Sequence, residues 1–395
     1  MVKISRAATA VALALALAAP LAAATTAQAA PPAPPATAMV TAPVAAAQQL
    51  EIPRPTGQYA IGADTLHLVD HSRRDPWVPS RDRELMVTLT YPAARPGTGH
   101  PAPYTTAAEA PVLLKELGID PARAGEVAGT RTHAGLGARP ARGGHPLIVL
   151  SPGFGAPRYS LTTLAEDLAS RGYVVASVDH AYESFGTSFP GGRLLTCVAC
   201  KAMQDGTQGS VVTATRAADT SYLLDRLTGK HPAWRYAAAI DKRHIGMAGH
   251  SIGGAAALAA MARDGRVDAG VNMDGAFWDT LPPQGLGGRP FMMLGTGDEM
   301  HRPGGKDKTW DTTWPALDGW KRWLTVAGAE HMTFCDEPLI ADHFGLPHSP
   351  LPAQRSVALV RTYVGAFFDQ HLRGVEQPVL TGPTSANPEV TFNNP

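Results

Sequence analysis

Short apolar runs alternate with amphipathic stretches along most of this chain, and that rhythm predicts a sheet covered on both faces. Gly57 to Val69 and Leu85 to Tyr91 read as an opening antiparallel pair of strands. Pro146 to Ser151, built on Leu147-Ile148-Val149-Leu150, is continuously apolar, and so is Tyr173 to Val178. Further buried strands are predicted at His244 to Ala248, Gly270 to Met273, Phe291 to Leu294 and Trp323 to Val326. Helical spacing marks Ser160 to Ser170, Thr213 to Leu227, the alanine-rich Ala255 to Ala262, and Arg355 to Leu372. Continuously apolar strands separated by helices mean a mostly parallel sheet with helices on both faces, an α/β fold. Ligands of such sheets bind beyond the carboxyl ends of the strands.

The ends of the chain fall outside this rhythm. Lys3 and Arg6 precede an Ala/Leu/Val run from Ala7 to Ala19, then Pro20 and small residues ending in Ala27-Gln28-Ala29. This is the pattern of a cleavable secretory signal peptide over 1–29, which places the protein outside the cytoplasm. Residues 30–50 are rich in Pro, Ala, Thr and Gln and predict a flexible linker. The catalytic-size domain is expected over 51–376, followed by a polar, Pro-containing tail over 377–395. His100 to Arg142, rich in Gly, Pro and Ala, reads as an excursion before the main sheet.

Chemistry concentrates where the apolar run ending at Ala248 meets the alanine-rich helix. Gly249-His250-Ser251-Ile252-Gly253 is a G-x-S-x-G sequence at a strand-to-helix junction, the pattern of a nucleophile elbow. The turn forces the serine into a strained backbone conformation, and its oxygen lies beside the positive N-terminus of the helix. A serine hydroxyl needs a base, and the base needs an orienting acid. His250 is excluded as the base, because neighbouring strand residues point to opposite faces. Among His301, His331, His343, His348 and His371, His331 is best placed, in the loop after the Trp323–Val326 strand. His301, in a charged Gly/Pro-rich loop, is expected to be solvated. Asp274, ending one strand, and Asp298, following the next, both qualify as the acid on these grounds. The backbone N–H groups of Phe154 and Ile252 are the expected oxyanion donors, since Pro152 has none to give. Trp278 is a candidate for the substrate pocket, whereas Trp320 and Trp323 are expected to pack a helix onto the sheet.

These segments resemble a known family. Pro146-Leu147-Ile148-Val149-Leu150-Ser151-Pro152-Gly153-Phe154-Gly155, Leu168 to Ala176 with Asp179-His180, the elbow with Gly254, Asn272-Met273-Asp274-Gly275 and Gly328-Ala329-Glu330-His331 together look like α/β-hydrolases of the platelet-activating-factor acetylhydrolase type (plasma, isoform II), including secreted bacterial lipase-like relatives. The resemblance implies the α/β-hydrolase fold, Ser251 as nucleophile, His331 as base and Asp274, rather than Asp298, as acid. It implies a serine carboxylic-ester hydrolase working through an acyl-enzyme. Its substrate would be a small-molecule or lipid ester, with transient contact to a lipid surface, and it would need no metal or organic cofactor. An amidase or peptidase on the same triad, and a non-catalytic binding protein on this fold, are the alternatives.

Charge and cysteines narrow the picture further. The chain of 395 residues balances 34 basic against 34 acidic side chains, so no basic field exists to neutralise the phosphates of a nucleic acid. Of its three cysteines, Cys197 and Cys200 form a C-x-x-C pair in a loop-like context, which favours a structural disulfide over a redox or zinc motif.

Overall fold

In the computed structural model, residues 49–97, 99–202 and 209–394 are described. The signal peptide and nearly all of the linker read from the sequence lie outside them. Twelve strands occur among the described residues: β1 Ala60–Arg74, β2 Asp82–Ala93, β3 Ala134–Leu136, β4 His145–Ser151, β5 Val174–His180, β6 Thr187–Phe189, β7 Arg193–Leu195, β8 Ile240–His250, β9 Ala269–Met273, β10 Phe291–Thr296, β11 Lys321–Val326 and β12 Val390–Phe392. The helices are α1 Ala110–Glu116, α2 Ala124–Ala128, α3 Thr162–Arg171, α4 Ala199–Ala202, α5 Gly209–Thr228, α6 Ile252–Arg263, α7 Lys308–Thr313, α8 Glu337–Phe344 and α9 Ala353–Arg373. Ten strands form one sheet in the order β12-β11-β10-β9-β8-β4-β5-β2-β1-β3, and β6 and β7 make a separate hairpin.

The middle of the sheet, from β5 through β4, β8, β9 and β10 to β11, is parallel, while β2 joins β5 antiparallel and pairs β1 antiparallel. This is the α/β-hydrolase arrangement. Both faces are apolar because strand side chains alternate. Ile148 and Leu150 of β4 enter a core with Leu164 and Leu168 of α3 and Phe367 and Phe368 of α9. Leu147 and Val149 enter the opposite core with Leu223 and Leu224 of α5 and Ala256 of α6. Helix α9 comes so close that a Cβ on Gly246 would lie 2.4 Å from the Phe368 ring, so only glycine fits there.

Two stretches carry more structure than their composition suggests. The excursion holds α1, α2 and β3 and has its own small core of Tyr104, Leu114, Ile119 and Val127, joined by Leu50 and Ile52. Leu50, counted with the linker by composition, is therefore the start of the folded domain. The expected tail over 377–395 is also corrected. Its residues Val390–Phe392 pair antiparallel with β11, and Leu380 and Val390 are buried. Glu389 pairs with Arg355 of α9 at 2.7 Å, and the Asn394 side chain accepts the Trp323 N–H. Few apolar residues suffice here, because the edge of β11 supplies the backbone partners.

Deleting residues 377–395 should therefore destabilise the domain. Burial of a large aliphatic side chain contributes roughly 1.5–3 kcal/mol, so removing two buried side chains and a strand should lower unfolding free energy by about 3 kcal/mol or more. Urea denaturation measures this, and an unchanged midpoint would show that β12 is an ornament of the edge.

Candidate active site

The junction between β8 and α6 is built from close backbone contacts. Ser251 adopts φ 55° and ψ −130°, a conformation costly for any residue with a side chain. Its N–H donates to the Met273 carbonyl at 2.8 Å, which ties the turn to the end of β9. A Cβ at Gly253 would lie 2.1 Å from the Ser151 carbonyl oxygen and 2.6 Å from that of Pro152. Glycine there lets the first turn of α6 rest directly on the loop leaving β4.

The carboxyl ends of neighbouring strands and loops deliver the partners. Asp274 follows β9 in a left-handed conformation (φ 59°) and is buried. One carboxylate oxygen accepts the His331 Nδ1–H at 2.7 Å, and His331 Nε2 lies 3.0 Å from the Ser251 hydroxyl. Because a carboxylate can only accept, Nδ1 carries the proton and Nε2 is free to receive one from the serine. His331 opens a short turn fixed by a reciprocal Glu330/Thr333 capping box. Half of its side chain is exposed (50%), and Ser251 is partly exposed, so both meet solvent. Burial disfavours charge on Asp274, but hydrogen bonds from His301 and His331 outweigh it and hold the carboxyl below the usual range. The Phe154 and Ile252 N–H groups have no acceptor among the described residues, and Gly253 brings their segments together. Asp298 is exposed and caps its own turn, accepting from Thr296 Oγ1 and the Met300 N–H, both at 2.8 Å, with no bond to His331.

The platelet-activating factor acetylhydrolase, isoform II, family model matches residues 127–190. A ferulic acid esterase from Streptomyces cinnamoneus has a similar solved structure, with 46% identity, TM-score 0.78, and coverage of 87% of this chain and 99% of that one. A probable 1-alkyl-2-acetylglycerophosphocholine esterase of Arthroderma benhamiae is 28% identical over 385 residues, 86% of this chain and 93% of its own length. The chain belongs to the platelet-activating-factor acetylhydrolase-like esterases. It is a carboxylic ester hydrolase.

This esterase holds a second Ser-His-Asp trio beneath the first. Ser151 Oγ lies 3.1 Å from His180 Nε2, and His180 Nδ1 lies 2.8 Å from Asp219. Ser151 has no exposure (0%), and Asp219 is also bound by Arg73 and Arg83. Arg83 further pairs with Asp75 and Glu183, and Arg216 pairs with Glu183. Burial opposes ionisation of Asp219 and Glu183, yet the arginines keep both carboxyls below their ordinary range. Ser151 is closed to solvent, and its trio lies inside a network of buried ion pairs.

Sequence reasoning missed His301, expected to be solvated. It is 5% exposed, and its Nδ1 and Nε2 face Asp274 at 2.7 Å and Asp307 at 3.2 Å. The ring stacks on Trp310 at 4.4 Å, and Trp323 Nε1 donates to the His301 carbonyl at 2.7 Å. The Trp310-to-Trp323 stretch thus backs His301 and, through it, Asp274, and its clustering was the signal that the neighbouring histidine is not in water. His250, excluded as base, donates from Nε2 to the His331 carbonyl at 2.8 Å, while burial pushes it down to about 4. Trp278 is 41% exposed and its ring covers Gly209 at the start of α5. Cys197 and Cys200 are joined by a disulfide, and Cys335 is a buried free thiol.

Burial resists the charge on His301, but its bonds to Asp274 and Asp307 raise it from 6.5 to about 9. A histidine raised on folding stabilises the native state fully below its unfolded value, and that contribution disappears as pH climbs through its folded one. The melting temperature should therefore fall between pH 6.5 and 9.5 more steeply than in His301→Gln. Parallel curves for the two proteins would mean that His301 is uncharged.

Proposed function

We propose that this esterase works through Ser251 as nucleophile, His331 as general base and acid, and Asp274 as the group that orients His331. The reading is carried by one observation: a solvent-accessible serine in the strained elbow conformation lies at the head of a hydrogen-bonded Ser251–His331–Asp274 chain. As the Ser251 oxygen attacks the ester carbonyl, His331 Nε2 takes its proton, and Asp274 stabilises the resulting imidazolium. The carbonyl oxygen becomes an oxyanion, received by the Phe154 and Ile252 amides at the N-terminus of α6. Collapse expels the alcohol, which leaves with the proton from His331. Water then attacks the acyl-enzyme by the same route, releasing the acid and restoring the serine. No step of this route calls for a metal or organic cofactor.

For the substrate, we favour a small ester of an aromatic acid. The support is the 46% identity to a protein named as a ferulic acid esterase, together with the exposed aromatic rings of Phe185, beside Gly155, and Trp278. A short-acyl phospholipid, reached by transient contact with a lipid surface, is the second reading, favoured by the acetylhydrolase family match over residues 127–190. We also propose export with cleavage after Ala29. The Cys197–Cys200 disulfide supports this, since such bonds persist in oxidising compartments.

Hydrolysis of p-nitrophenyl acetate tests the nucleophile. Ser251→Ala should lose roughly 10⁴-fold or more in kcat, whereas Ser151→Ala should stay within about tenfold of wild type. Full activity in Ser251→Ala, or its loss only in Ser151→Ala, would sink the assignment. With the wild-type enzyme, kcat/KM for methyl ferulate should exceed that for a short-acyl phosphatidylcholine; the reverse order selects the second reading.

A further inference from the structure

The loop that carries Phe154 is bolted from below at both ends. Arg216 of α5 is buried, and its Nη1 donates to the Pro152 carbonyl at 2.5 Å and to Ser151 Oγ at 3.1 Å. Its Nε donates to Glu183 at 2.8 Å. Glu183 in turn grips the far end of the loop through its backbone, accepting the Gly155 N–H at 2.9 Å, while the Phe185 N–H donates to the Gly155 carbonyl at 2.8 Å. Between these anchors the Gly153 carbonyl accepts the Ala156 N–H at 3.2 Å. In a trans peptide the N–H points opposite to the C=O, so the Phe154 N–H shares its plane with the Gly153 carbonyl, and Arg216 at the Pro152 carbonyl and Glu183 at the Gly155 N–H hold the peptide planes on either side of it.

We infer that Arg216 is a positioning residue for the oxyanion hole: by holding the Pro152 carbonyl inward and anchoring Glu183, it aims the Phe154 N–H at the oxygen that gains charge on attack by Ser251. This rests on the Ser251 mechanism proposed above. Pro152 has no N–H, so its carbonyl is its single polar backbone group, and the guanidinium is the only buried donor that meets it among the described residues. One Nη1 with two hydrogens serves both Pro152 and Ser151, a planar fork that the point-like ammonium of lysine cannot reproduce while also reaching Glu183. His180 completes the seat. With Nδ1–H directed to Asp219, its Nε2 accepts the Ser151 hydroxyl proton, leaving the Ser151 lone pairs for Arg216. Burial and the neighbouring Arg216 both hold His180 below its ordinary value, in keeping with a neutral ring. Losing Ser151 Oγ leaves the Pro152 bond in place, whereas losing the guanidinium frees the loop.

Arg216→Lys is the first test. Because it removes a bond from a buried carboxylate and can impair folding, the charge-matched pair Arg216→Met/Glu183→Gln is made alongside it. For folded variants, kcat for p-nitrophenyl acetate should fall about 10–100-fold, with KM within about threefold of wild type. Affinity for a trifluoromethyl ketone, whose hemiketal oxygen occupies the oxyanion position, should fall by the same factor as kcat/KM. Affinity for the product acid should be unchanged. A folded variant that keeps kcat and ketone affinity within twofold overturns the inference, and so does a loss shared equally with product binding. Ser251→Ala, measured in parallel, separates the two readings. If it stays active, the mechanism itself fails, whereas an inactive Ser251→Ala beside fully active Arg216 variants rejects only the role of Arg216.

Discussion

Everything at this site hangs on how closely three backbones approach the reversed turn at Ser251. Hypothetical Cβ atoms on Gly253, Gly254 and Gly275 would meet the Ser151 carbonyl, the Asn272 side chain and the Ser251 carbonyl at 2.1, 2.0 and 2.0 Å. The loop after β4, the first turn of α6 and the loop after β9 are therefore in van der Waals register with one another. No lever arm separates serine, acid and amide donors. Strain at a single left-handed residue is tolerated because the surrounding contacts over-determine it: the Ser251 N–H is bonded to β9, and Asn272 bridges both backbone groups of Gly275. Such tight stacking converts a flexible five-residue sequence into a fixed geometry, the condition for preorganised electrostatics.

The same neighbourhood concentrates charge in a dry place. Asp274 is bound by two histidines and the Thr296 N–H, and the layer beneath the β4 loop buries Arg83, Arg216, Asp75, Glu183 and Asp219 together. Buried ion pairs rarely add net stability, since desolvation offsets the attraction. Their value lies in direction: each guanidinium has fixed donors that accept few arrangements. A network of this kind specifies one position for each chain segment that crosses it, and β2, α5 and the loop after β5 all do.

The alternation of apolar runs and helices exposed the sheet from sequence, because the central strands are buried on both faces and each is built around a short apolar run. The elbow was legible for a local reason, since its glycines are needed by adjacent backbone. Asp274 was not separable from Asp298 by position along the chain. What distinguishes them is the left-handed turn at Asp274, which sends its carboxylate toward His331 while Asp298 closes on its own loop. His301 was hidden by surroundings rich in Gly, Pro and charge, a composition that signals water unless tryptophans from later in the chain fold over it. Arg216 has no local signature in the Thr213 to Leu227 helix, since its partners lie 33, 65 and 64 positions away. The C-terminal strand escaped notice because an edge strand borrows its stability from the sheet it joins, and three residues of pairing leave almost no periodic signature.

The two Ser-His-Asp trios in this one domain bear on how active sites are recognised at all. Judged by interatomic distance alone they are near twins, and a geometric template would return both. What tells them apart is absent from any such template: the sealed serine sits in an ordinary strand with an arginine already on its oxygen, while the other stands on a left-handed turn facing solvent. Two constellations with the same internal distances thus differ in this esterase by their boundary with water, a property of the surrounding backbone and not of the three side chains.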